Sequence, residues 1–183
     1  MKKILFNDDH MLTRLVLAGR KTMTRRVAKG EDPQYKVGEV VAIAQNYHTL
    51  VLSGYNLPGV IKNERTGKET VTELHPGWKN KMFVKAELMP HHIRIIKFYG
   101  QLLQDISEED CLHEGIDRKT VHLFNPEDSS YGYWHYDPLY KRFVGEWFTE
   151  AKGAFAGLID SLSGKGVWES NPLVYVYEFE LVD

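Results

Sequence analysis

The segment Leu15-Val16-Leu17-Ala18-Gly19-Arg20-Lys21-Thr22-Met23-Thr24-Arg25-Arg26-Val27 constrains this chain more than any other. An apolar helical end runs into a glycine, and a basic, hydroxyl-bearing strand follows at once. Gly19 suits the helix end because glycine enters the left-handed region without a side-chain clash. Side chains alternate faces along a strand, so Thr22, Thr24 and Arg26 point one way and Lys21, Met23 and Arg25 the other. Cations and hydroxyls held at a helix-to-strand corner are what a site for phosphate or a polar base needs.

Charge supports a local reading of that corner. The formal net charge is -2, which excludes a strongly basic binder of bulk polyanion. Yet no acid lies between His10 and Gly30, whereas Arg14, Arg20, Lys21, Arg25, Arg26 and Lys29 do. A length of 183 residues suits a single domain over 1–183. The one cysteine, Cys111, excludes an intrachain disulfide and a multi-cysteine zinc site. Met1 to Phe6 mimics a signal start, but Asn7-Asp8-Asp9 ends the apolar run early. With no segment long enough to span a bilayer, a cytoplasmic setting without a membrane partner is the expectation.

Residues 3–6 read as a strand, and Asp8 or Asp9 as the cap of a helix through about Ala18. Arg20 to Val27 is the basic strand, and Val40 to Ala44 a buried one. Gly54, Pro58, Gly59 and Gly67 punctuate a looser, hairpin-like region. Lys81 to Leu88 and Ile93 to Phe98 read as strands, with Leu102 to Ile106 continuing the pattern. Ser107 caps a short helix that Gly115 stops. Residues 119–141, rich in tyrosine, read as an aromatic loop insertion. Phe143 to Leu162 reads as the longest helix, with Trp147, Phe148, Phe155 and Leu158 on its core side. Val174, Val176, Phe179 and Leu181 suit a closing strand. Short strands separated by two or three helices predict an α+β domain on a bent sheet or barrel.

Four segments, in order, resemble the ASCH family of the PUA-like superfamily. Ala18 to Arg26 resembles its GRKT-x-T-x-R signature, and Tyr35-Lys36-Val37-Gly38-Glu39 its Y-x-V-G-D segment. Leu103 to Gly115 resembles its L-Q-D-I-S-x-E-D-x-x-x-E-G helix, and Trp168 to Val176 its W-x-x-N-P-W-V-x-V closing strand. The resemblance implies a PUA-like β-barrel flanked by helices, with a cleft that binds RNA. Some small bacterial members are amidohydrolases that deacetylate N4-acetylcytidine. Their catalytic lysine, threonine and glutamate fall on Lys21, Thr24 and Glu114. The chain departs from the family after Val41, where many relatives read W-V-R-E-T-W and this sequence reads Ala42-Ile43-Ala44-Gln45-Asn46-Tyr47.

Two functional classes therefore stand side by side. In the first, Arg20, Lys21, Thr22, Thr24, Arg25 and Arg26 hold RNA or a modified nucleoside in a basic cleft, through phosphate contacts and base stacking. In the second, Lys21 has its pKa depressed by burial and cationic neighbours. It activates Thr24, or a water that Thr24 orients, and Glu114 passes a proton to the departing amine. Strand alternation puts Lys21 and Thr24 on opposite faces, so catalysis requires a bulge or the Gly19 corner to bring them together. A protein-interaction module is a third reading. His91, His92, Cys111 and His113 diverge by spacing, so neither metal nor cofactor is expected.

Overall fold

The computed structural model describes residues 1–30, 33–58, 60–62, 69–71, 76–122, 129–137 and 142–183. The elements are β1 (Lys3–Ile4), α1 (Leu12–Leu17), β2 (Met23–Val27), β3 (Val40–Ile43), α2 (Tyr47–Leu52), β4 (Val60–Lys62), β5 (Glu69–Val71), β6 (His92–Leu102), α3 (Glu108–His113), β7 (Asp117–His122), β8 (Ser129–Asp137), β9 (Arg142–Phe148), α4 (Ala151–Ser163), α5 (Val167–Ser170) and β10 (Leu173–Leu181). The fold is α+β, as its pattern predicts. Strand β1 pairs with β3 and β10 with β2, and no sheet closes into a barrel among the described residues. Residue contacts group the chain into two compact units.

The first unit comprises Met1–Phe6, Val40–Ile93 and Asp183. Strand β1 pairs in parallel with β3, setting Lys3 beside Ala42 and Ile4 beside Ile43. Continuous burial from Val41 to Ala44 is the pattern of a strand covered on both faces. Asn46 starts α2 by accepting the Thr49 amide at 2.8 Å. Tyr47 and Leu50 of that helix pack with Ala42, Ala44, Val84, Ala86 and Met89. The strand expected over Lys81 to Leu88 is instead two 3-10 turns, Lys81–Phe83 and Ala86–Leu88. The Lys3 ammonium takes the Met82 and Val84 carbonyls at 2.7 and 2.6 Å, so these acceptors serve no ladder.

The second unit comprises Asn7–Glu39 and Arg94–Val182. Helix α1 starts later than expected, after Met11 in the left-handed region (φ 58°). The Asp8 carboxylate is engaged by the Thr13 hydroxyl at 2.5 Å instead of capping the helix. Strands β2 and β10 pair antiparallel through five successive pairs from Val174–Val27 to Glu178–Met23. The expected aromatic loop over 119–141 and the first part of the expected helix over 143–162 form, in their described residues, a three-stranded antiparallel sheet of β7, β8 and β9; residues 123–128 and 138–141 lie outside the described residues. Aromatic and β-branched residues there favour a pleated surface, and that preference outweighs the helical spacing read at 143–148. Helix α4 therefore begins only at Ala151. Its first amides find no cap in Glu150, and Glu108 of α3 accepts them from Ala151 and Lys152 at 2.6 and 3.3 Å. Ala154, Phe155 and Leu158 are buried along α4. The side chain of Trp147 lies outside the described residues.

Candidate functional site

The corner after α1 forms as its glycine predicts. Gly19 takes φ 69°, and the Arg20 and Lys21 amides both return to the Leu15 carbonyl, at 2.9 and 3.0 Å. The Thr22 amide then bonds the His113 carbonyl at 3.0 Å, while the Thr22 carbonyl accepts from the Phe179 amide at 2.9 Å. The corner is thus pinned between the end of α3 and β10. Gly115 closes the contact. Its φ is +104°, and a Cβ there would stand 2.9 Å from Leu15 Cδ1.

This placement carries Lys21 inward onto Glu114. Lys21 Nζ donates to Glu114 Oε2 at 2.5 Å and to the Glu114 carbonyl at 2.8 Å. Arg25 bonds the other oxygen of the same carboxylate at 3.0 Å and Asp110 Oδ2 at 2.7 Å. The Lys21, Arg25 and Glu114 side chains are at most 5 % exposed and Asp110 is 23 % exposed, so two buried cations share one buried and one partly exposed carboxylate. Burial holds the Lys21 ammonium below its usual range; Glu114 opposes that shift, and Arg25 and Arg26 add to it.

Strand geometry divides the remaining residues. Thr24 stands opposite Tyr177 and Arg26 opposite Tyr175, on the face away from Arg25 and Val176. No bulge interrupts this register. The structure therefore joins Lys21 to Glu114 and leaves Thr24, although buried, on the other face; among the described residues it hydrogen-bonds neither. Arg20 is half-exposed and paired with Asp117 at 2.9 Å. Thr22 is partly buried.

The open space of the second unit lies around β2. A cavity of about 600 Å³ is lined by Arg25, Arg26, Val27, Lys29 and Gln34, by Tyr175 and Tyr177, and by Leu103, Ile159, Ser163, Val167 and Val174. Arg25 reaches it already bound to two carboxylates, whereas Arg26 lies over the Tyr35 ring, 5.9 Å from its centre. Tyr35 meets Tyr177 edge-on at 5.4 Å, and Phe98 lies 5.3 Å from both Tyr175 and Tyr177. The Tyr177 hydroxyl accepts the Gln34 amide at 3.0 Å, and the Tyr175 hydroxyl donates to the Gly30 carbonyl at 2.7 Å. Lys29, Gln34 and the tyrosines escape motif reading. The period of two in Val174-Tyr175-Val176-Tyr177 is the signal that sets both tyrosines on one face.

The other singled-out groups serve packing. Cys111 is fully buried, and burial pushes its thiol up to about 12. His92 meets the Asp183 carboxylate at 2.7 Å, and His91 meets the Tyr55 hydroxyl at 3.2 Å. Among the described residues no group of three or more His, Cys, Asp or Glu is placed to hold a metal. Nor is any helix among them long and apolar enough to cross a membrane. No family model, no curated protein and no solved structure matches this chain.

Proposed function

We propose that this chain is an ASCH-like protein on a PUA-like fold. It binds a nucleoside phosphate, or one splayed nucleotide of a single-stranded RNA, in the cavity beside β2. One observation carries the reading: the cavity combines Arg26 and Lys29 with two tyrosines and an aliphatic wall of Val27, Ile159, Val167 and Val174. Cations suit a phosphate, an aliphatic and aromatic wall suits a base face, and the volume suits one nucleotide rather than a duplex. A thermal-shift series with nucleosides, nucleoside monophosphates and short RNAs tests it. The phosphate-bearing ligands raise the unfolding midpoint, by about 2.7 kcal/mol of stabilisation at a hundredfold excess over Kd. Arg26→Ala removes that rise. A midpoint unmoved by every ligand refutes the reading.

The buried Lys21–Glu114 pair favours a second reading, deacylation of an N4-acylated cytosine. A lysine held below its usual range is a general base nearer neutrality. Of the three residues that reading assigns, Lys21 and Glu114 meet and Thr24 stands on the other face. Chromatography of N4-acetylcytidine incubated with the protein separates the readings. Cytidine release that Lys21→Ala abolishes establishes hydrolysis, and intact substrate leaves the binding reading alone.

A further inference from the structure

Away from that cavity, three side chains of the second unit stand in the order of an activated nucleophile. Ser161, an exposed residue of α4, has its Oγ 2.7 Å from Nε2 of His10. His10 is 5 % exposed, and its Nδ1 lies 3.1 Å from Asn7 Oδ1.

The hydrogen-bond roles follow from one backbone group. The His10 amide, which only donates, meets Asn7 Oδ1 at 3.0 Å, so that atom is an acceptor. Nδ1 beside it then carries a proton, and in the neutral ring Nε2 is left with a lone pair. Ser161 therefore donates its O–H to Nε2. A serine inside a helix ordinarily returns its hydroxyl to the preceding turn, and this one turns to a histidine instead.

We propose that Ser161 is a nucleophile, His10 its base and Asn7 the group that fixes the histidine tautomer, acting on acyl esters with a weakly basic aryl-oxide leaving group. Ser161 Oγ bonds the acyl carbon as its proton passes to His10 Nε2. The carbon–aryloxide bond breaks, the leaving group takes the proton, and Ser161 is left acylated. Water then attacks the acyl carbon with His10 taking its proton, and that proton returns to Ser161 Oγ as the carboxylic acid departs.

The test is incubation of the full chain with 4-nitrophenyl acetate, reading nitrophenolate release and the mass of the Ser161 peptide. A fluorophosphonate, whose P–F bond breaks as P–Oγ forms, traps the same oxygen irreversibly. The expected result is an adduct on Ser161, absent in Ser161→Ala, which alters an exposed position. His10→Gln slows labelling at least about a hundredfold, and Asn7→Ala, which removes the acceptor at Nδ1, slows it as well. Far-ultraviolet circular dichroism checks each variant's fold. No adduct on Ser161 with either reagent overturns the proposal, as does equal labelling of folded His10→Gln.

Discussion

On one face of β2, Arg25 and Lys21 are buried against Asp110 and Glu114; on the other, Arg26 lies over Tyr35, and the cavity that Arg26, Lys29 and Gln34 line reaches Arg25 and Val27 as well. Adjacent arginines of one basic motif thus meet opposite environments. The first face neutralises its charges internally and ties the corner to α3. Leaving a buried charge without its partner is costly, so that face is a structural commitment. The second sets Arg26 beside the rings of Tyr35, Tyr175 and Tyr177, the arrangement on which the proposed nucleotide binding rests. A basic run read as one binding surface is, in three dimensions, divided between a buried ion-pair network and the face that carries Arg26.

Substitutions that act on one face and spare the other test this division. The largest effect belongs to Glu114→Ala, which strands the buried Lys21 ammonium, leaves Arg25 with Asp110 alone and is expected to cost about 3–5 kcal/mol in urea unfolding. A loss below about 1 kcal/mol shows the network to be dispensable. Gly115→Ala comes next, at about 1–3 kcal/mol, because its φ of +104° strains any side chain and Leu15 Cδ1 occupies the space. On the cavity face, Arg26→Ala with Lys29→Ala leaves the unfolding midpoint nearly unchanged. RNA affinity falls, and the slope of log affinity against log salt shrinks by about two, one per lost phosphate contact.

The smallest effects lie in the alkaline limb of stability. Because Lys21 titrates below its ordinary 10.5, the unfolded chain binds more protons between the native value and 10.5, and stability rises with pH there. Cys111 has the opposite sign. Its thiol is raised from 9.0 to about 12, so its contribution is complete below 9 and is lost as pH climbs toward 12. Lys21→Met removes the rise and Cys111→Ala removes the fall in melts taken across that range.

Local chemistry made part of this arrangement legible in the sequence. Gly19 and Gly115 take positive φ, Ser107 accepts the Asp110 amide at 3.0 Å, and the alternation of β2 separates Arg25 from Arg26. Lys21 and Glu114 fall together where the family resemblance aligns them. What stayed hidden depends on partners distant in the chain. Helical spacing over 143–148 is overridden by pairing with β8, and the extended segment at 81–88 is broken by a lysine from β1. The cavity walls come from Lys29, Gln34, Ile159 and Tyr175, which share no motif and meet only through the fold.

The central claim is that ligand binding belongs to Arg26 and not to Arg25. Fluorescence anisotropy of a labelled short single-stranded RNA, titrated with the parent, Arg26→Ala and Arg25→Ala chains at two salt concentrations, tests it most directly. The account predicts that Arg26→Ala binds at least about tenfold more weakly at the lower salt, with a flatter salt dependence. Arg25→Ala, kept at a temperature where it is folded, binds like the parent. Equal affinity of parent and Arg26→Ala, or a loss confined to folded Arg25→Ala, contradicts it.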